Sequence, residues 1–257
     1  MLGPERAHLP VPLDANTVIA MMDEAGVDRA ILVPPSLEGD RNDLCLEAAR
    51  DYPSRFAVMG RLKLDSPKAP DRLKEMKSER GMLGLRLTFH RDNDRPLLTN
   101  GAADWFWPAA EALNVPVMLH APERLPQVAE IARAHPKLTL IIDHMGFARE
   151  TSDNKAGAGA DRVLALAKYP NVSVKVSASP CYSSEPYPFR NLHEPLKRII
   201  EGFGVRRAFW GSDVSRVLAH CTYREAVTMF TEELDFLSKS DLEWVMGRGI
   251  LELLHWE

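Results

Sequence analysis

The stretches VPVMLHAP (115–122) and LTLIIDHMG (138–146) decide the fold. Each is a short, almost unbroken apolar run that closes on a histidine: His120 ends the first, and His144 follows the second directly. A strand with one wet face alternates apolar and polar residues, whereas an unbroken run reads as a strand covered on both faces, as in a parallel sheet. Arg29–Pro34, Arg55–Arg61, Leu83–Thr88, Val172–Ser177 and Arg207–Gly211 are likewise short and rich in Val, Ile, Leu or Phe, and most are nearly continuous. With Pro116–His120 and Leu138–Asp143 these make seven candidate strands.

Between them, apolar residues recur at spacings of three and four. Helices are therefore expected over Asn16–Ala25 (ending in Gly26), Ala102–Leu113, Leu125–Ala134, Asp161–Lys168 and Pro195–Phe203, the last stopping before Gly204. Tyr223–Trp256 is expected to be helical apart from a break near Ser238–Ser240. Ala148–Gly159, polar and ending in glycines, and Ser177–Phe189, with three prolines and two tyrosines, are expected to be loops. Repeated βα alternation points to an α/β fold, a parallel sheet or a (β/α)8 TIM-like barrel, as one domain over 1–257. Seven strands are one short of eight. The helix at Asn16–Ala25 expects a strand before it, and the proline-rich residues 1–12 do not supply one. A barrel lacking its first strand in this chain is the expectation. An edge opened in that way predicts low stability, or cover from another segment or a second copy, so a homo-oligomer is among the expected states.

Composition excludes several functions. The net charge is −4 with both signs interspersed, which argues against nucleic acid as a partner. No apolar run approaches the roughly 20 residues that cross a bilayer, and the N-terminus lacks the apolar region of a signal peptide. A cytoplasmic protein acting on a small molecule is expected, with no membrane partner. The three cysteines, Cys45, Cys181 and Cys221, are widely spaced without a CxxC pattern, which reads as free thiols.

The chemistry-bearing residues recur at strand ends. His120, His144 and Asp213 each sit at or just past one, and in a barrel such ends converge on one mouth. Imidazole and carboxylate suit a catalytic divalent ion with an open position for water; alternatively Asp213 acts as a general base on water while a histidine polarises a carbonyl. Arg86 and Lys175 are candidates to clamp a substrate carboxylate, the competing reading being a buried salt bridge. Tyr182 or Tyr187 is expected to line the pocket. His90 and Arg91 follow a strand but read as solvated loop. His135 falls at the opposite end of the strands and is given no role; His193, His220 and His255 read as surface or packing residues, and Trp105 and Trp107 as helix packing.

The stretches GVDRAILVPP (26–35), RFAVMGRL (55–62), GMLGLRLTF (81–89), VPVMLHAP, LTLIIDHMG and FWGSD (209–213), followed by CTYREAVTMFTEELDFL and EWVMGRGILELLHW, resemble the amidohydrolase superfamily. The likeness lies with its amidohydrolase-2-type branch of dicarboxylate lactone hydrolases and decarboxylases, and covers nearly the whole chain. It implies that His120, His144 and Asp213 close the family's fifth, sixth and eighth strands. It also implies that Asp213 is metal ligand or base, His120 a metal ligand, and His144 a contact to metal or substrate.

One departure stands out. The family's first strand carries an HxH pair, and no HxH occurs in this sequence; His8 lies near that end without a partner. A chain beginning downstream of its native start is the favoured explanation over a natural variant. A site for a divalent metal, Zn or Mn, is therefore predicted to be incomplete, although some relatives in this branch hydrolyse lactones without one. The expected function is hydrolysis of a small carboxylated substrate such as a lactone, with Asp213 and His144 catalytic, Arg86, Lys175 and Tyr182 substrate-binding, and His120 and Asp213 as any metal's ligands. The alternatives are a metal-dependent non-oxidative decarboxylase and a catalytically inactive barrel.

Overall fold

All seven expected strands form, and the computed structural model describes residues 8–90 and 94–256. The strands are β1 (Ala30–Leu32), β2 (Phe56–Gly60), β3 (Met82–Thr88), β4 (Val117–His120), β5 (Leu140–Ile142), β6 (Val172–Ser177) and β7 (Ala208–Gly211). Their order in the sheet is their order in the chain. Parallel pairing forces a crossover after each strand, and helices supply it.

The chain divides into two compact units, one made of residues 27–141 and the other of residues 8–26 and 142–257. In the first unit β1, β2, β3 and β4 pair in parallel, with Leu85 opposite Val117 and Thr88 opposite His120. β2 and β4 are buried along their whole length, which is why their sequences are unbroken apolar runs. Helices α2 (Asp43–Asp51), α3 (Ala69–Lys77), α4 (Phe106–Ala112) and α5 (Leu125–Ala134) make the crossovers. The first two, nine residues each and rich in charge, were not among the helices expected from the sequence. Phe106 and Trp107 of α4 are buried, while the Trp105 indole donates to Leu64 O at 3.2 Å.

In the second unit β6 and β7 pair in parallel, Ser177 opposite Gly211. Its first helix, α1 (Ala15–Ala25), is capped by Asp14, whose carboxylate accepts from Thr17 N at 2.7 Å, and ends at Gly26 with φ 72°. Helix α6 (Asn154–Leu164) corrects the sequence reading, which expected a loop to Gly159 and a helix only from Asp161. The glycines mislead because one of them serves packing: a Cβ on Gly159 would lie 2.6 Å from Cε1 of the buried Phe147 ring. Gly157, one turn face away, has nothing within 4 Å. α7 (His193–Phe203) ends at Gly204, as expected. After β7 come α8 (Val214–Val217), α9 (Tyr223–Thr228), α10 (Lys239–Glu243) and α11 (Gly249–Leu254), with π-helical turns at Met229–Glu233 and Trp244–Arg248. The expected break near Ser238 is a capping box, Ser238 with Asp241, that restarts the helix; Thr222 with Glu225 does the same for α9. Among the described residues no helix is long and apolar enough to cross a membrane.

The two glycines of α6 should respond oppositely to alanine. Gly157→Ala should stabilise by up to about 1 kcal/mol, the helix-propensity gain. For Gly159→Ala that gain is outweighed by overpacking against Phe147, typically ~1–3 kcal/mol. Urea unfolding should therefore move the two midpoints in opposite directions.

Candidate active site

In the second unit, four residues after strand ends take left-handed backbone without being glycine. They are His144 (φ 53°) and Met145 (φ 58°) after β5, Ala178 (φ 56°) after β6, and Asp213 (φ 54°) after β7. Such conformations cost on the order of 1–3 kcal/mol each and persist where the surroundings fix them, commonly at functional sites. They turn the chain sharply enough to present His144 and Asp213 directly off the strand ends.

His144 Nε2 lies 3.8 Å from Asp213 Oδ2. On the other side of the ring, Nδ1 is 2.8 Å from Ser177 Oγ, and the same oxygen accepts from His144 N at 3.3 Å. Ser177 is 1 % exposed, so its hydroxyl proton needs a protein acceptor. Nδ1 is an acceptor at hydrogen-bond distance, and a hydroxyl donating there leaves neutral His144 as the Nε2–H tautomer, its N–H on the side of Asp213. The separation of 3.8 Å exceeds hydrogen-bond length, so the ring and the carboxylate are adjacent without being locked together.

Lys175 Nζ sits 3.0 Å from Asp143 Oδ1, with side chains 15 % and 2 % exposed. Of the two readings of Lys175, the buried salt bridge is the one realised. It pins the residue immediately before His144. Tyr182 is fully buried: its hydroxyl accepts from Arg216 Nη1 at 3.1 Å and its ring lies 4.7 Å from the guanidinium carbon. Tyr187 instead donates toward Thr228 Oγ1 at 3.1 Å. His8, the one histidine near the front of the chain, hydrogen-bonds Ser215 through Nδ1 at 3.0 Å.

In the first unit, Arg86 and His120 are each 8 % exposed. Arg86 Nη1 donates to Thr88 Oγ1 at 2.7 Å and Arg61 Nη1 to the same oxygen at 3.0 Å, so one hydroxyl aligns two buried guanidinium groups. Arg61 is tied by Asn42, whose Oδ1 accepts from Arg61 N at 2.6 Å and whose Nδ2 donates to Arg61 O at 3.0 Å. The His90 and His120 rings pack 5.1 Å apart; Arg91 lies outside the described residues. This is a concentrated positive cluster suited to carboxylates. Arg61, Thr88 and Arg216 were not singled out in the sequence. For Arg61 and Thr88 the signal was available, since both close expected strands as His120 does; Arg216, three residues past Asp213, gave none.

Other chemistries find less support. Burial pushes the thiols of Cys45 and Cys181 up to about 11 and that of Cys221 up to about 12, so none is an activated nucleophile at neutral pH. His135, as expected, makes a structural contact, Nδ1 to Glu111 Oε2 at 3.3 Å. Among the described residues no group of three or more His, Cys, Asp or Glu side chains is placed to hold a metal ion. Among the described residues, then, the donors present fall short of the three protein ligands that a catalytic metal takes.

A sequential β/α fold with a carboxylate–imidazole pair turned off its strand ends is the arrangement of a hydrolytic enzyme. The chain belongs to the amidohydrolase family, whose model, described as Amidohydrolase, matches residues 3–255. It is 28 % identical over 222 residues to an L-fucono-1,5-lactonase from Burkholderia ambifaria, covering 81 % of this chain and 72 % of that protein. The fold is that of a TIM-like (β/α) barrel. A probable 2-pyrone-4,6-dicarboxylic acid hydrolase from Acinetobacter baumannii, with citric acid bound, matches with a TM-score of 0.81 at 24 % identity over 98 % of this chain and 92 % of that one. An amidohydrolase from Burkholderia multivorans with bound zinc matches with a TM-score of 0.80 at 20 % identity, covering 95 % and 88 %.

Ser177→Ala removes the hydroxyl on which that His144 tautomer rests. Hydrolytic kcat should fall about 10- to 100-fold, the usual effect of losing an orienting partner, with KM little changed. Lys175→Met should cost ~3–5 kcal/mol of stability by taking the cation from a buried carboxylate, measurable by urea unfolding.

Proposed function

We propose that this chain hydrolyses a small carboxylated lactone, with Asp213 as the base on water and His144 as the hydrogen-bond donor to the carbonyl oxygen. One observation carries the division of roles. Ser177 occupies Nδ1 of His144, so the imidazole offers a proton at Nε2 instead of accepting one, and the adjacent carboxylate is left as the base.

In the proposed reaction, Asp213 takes a proton from water as the oxygen attacks the lactone carbonyl carbon. The oxyanion that forms is stabilised by His144 Nε2–H. Collapse breaks the ring C–O bond, and the leaving alkoxide receives the proton held by Asp213. That transfer regenerates the Asp213 carboxylate, and the product is a hydroxy acid whose new carboxyl group ionises in water. Within the first unit, Arg86 and Arg61, aligned on Thr88, are proposed as a carboxylate-binding pair. Tyr182 positions Arg216. The lactonase and pyrone-dicarboxylic acid hydrolase named above support the substrate class.

His120 and Asp213 are not assigned a metal, because the donor set present does not complete a ligand group, and no step above runs through one. A cytoplasmic location and a homo-oligomeric state remain part of the proposal.

Asp213→Asn should lower kcat on a carboxylated-lactone panel by at least ~100-fold, the typical contribution of a general base, with the thermal unfolding midpoint near that of the wild type. Exhaustive chelation should leave wild-type turnover unchanged. Full activity in Asp213→Asn would overturn the assignment of the base; loss on chelation with recovery by zinc would overturn the metal-free mechanism.

A further inference from the structure

Arg216 is the residue of the second unit that this reaction leaves without a task. It sits on α8, three residues beyond Asp213, and it is half-buried. Its side chain is held at two points: Nη1 donates to the Tyr182 hydroxyl at 3.1 Å, and Nη2 reaches Arg149 O at 3.4 Å. Beneath it lies the Tyr182 ring, 4.7 Å away, itself fully buried and fixed edge-to-face on Phe147 at 5.3 Å. All its fixed partners are therefore neutral. Among the described residues no carboxylate comes within ion-pair distance of it, although Asp213 is near enough to feel its charge.

A half-buried guanidinium with neutral supports retains much of its desolvation cost and recovers it when an anion arrives. The ring below and the hydroxyl beside it set the plane of the fork in advance, so little side-chain entropy is lost on binding. Its place on the turn that carries Asp213 puts such an anion close to the carboxylate that activates water.

Resting on the lactone-hydrolase reading, we propose that Arg216 is a specificity-determining residue that binds an anionic substituent, carboxylate or sulfonate, carried on the lactone ring, and that Tyr182 is its positioning residue. The lactones turned over best then bear a negative group beside the ester that is cleaved. Recognition at this point needs no covalent step: the guanidinium donates two hydrogen bonds to two oxygens of the anion.

The test compares a five-membered lactone bearing a ring carboxylate with its carboxamide, which differs in charge at that one position. In Arg216→Gln the ratio of kcat/KM for acid over amide should fall about 10- to 100-fold, carried by KM, as expected for losing a charge-assisted bidentate contact. Arg216→Lys should restore part of the ratio, and Tyr182→Phe, which keeps the ring but removes the hydroxyl, should lower it by a smaller factor. An unchanged ratio in Arg216→Gln, whatever happens to the absolute rates, overturns the proposal. Should the wild type hydrolyse neither lactone, the hydrolase reading fails and calorimetry decides the Arg216 question separately. Adipate binding that weakens at least 10-fold in Arg216→Gln supports the anion site, and equal or undetectable binding to both proteins overturns it.

Discussion

Parallel strand pairing is the constraint on which the rest of this protein depends. A parallel neighbour is reached only after a crossover, so equivalent strand ends lie side by side and whatever follows them is brought together within each unit. In the first unit this sets Thr88 of β3 opposite His120 of β4. In the second it sets Ser177 of β6 opposite Gly211 of β7, two residues before Asp213. Left-handed residues just past β5, β6 and β7 then turn the chain so that side chains, and not backbone, occupy the ends. The strain of those turns is sustained by buried contacts such as the Lys175–Asp143 ion pair, next to His144.

Burial also decides the chemistry through hydrogen-bond accounting. Ser177 is enclosed and its hydroxyl lies 2.8 Å from His144 Nδ1, the contact on which the proposed tautomer rests. Thr88 is treated the other way: its oxygen accepts from both Arg61 and Arg86. In the proposed roles one hydroxyl makes an imidazole a donor, and another aligns two cations for an anion. Arg216, by contrast, is supported entirely by neutral groups, which keeps its charge available to a ligand. Family membership sets the expectation of hydrolysis, and the proposed roles of base, donor and anion receptor rest on these local arrangements.

Much of this was legible in the sequence, and the reason is periodicity. Short apolar runs, most of them nearly continuous, marked the seven strands, and β2 and β4, buried throughout, show why a run can be continuous. Gly26, Gly204 and the capping serine Ser238 marked helix ends because their effects are local to one turn. The strand-end positions of His120, His144 and Asp213 were equally plain. α6 was misread because a glycine that makes room for a neighbour's ring looks, in sequence, like a glycine that bends a loop.

By itself, then, the sequence determined the β/α alternation, the strand ends and the residue types placed there, since each depends on patterns a few residues long. The tertiary structure decided what those residues do. Lys175 is committed to Asp143, Tyr182 is buried under Arg216, and Ser177 meets His144 Nδ1 from 33 positions away in the chain. Such partnerships depend on which strand ends become neighbours and on how completely water is excluded from them. Neither is written in any local stretch of residues.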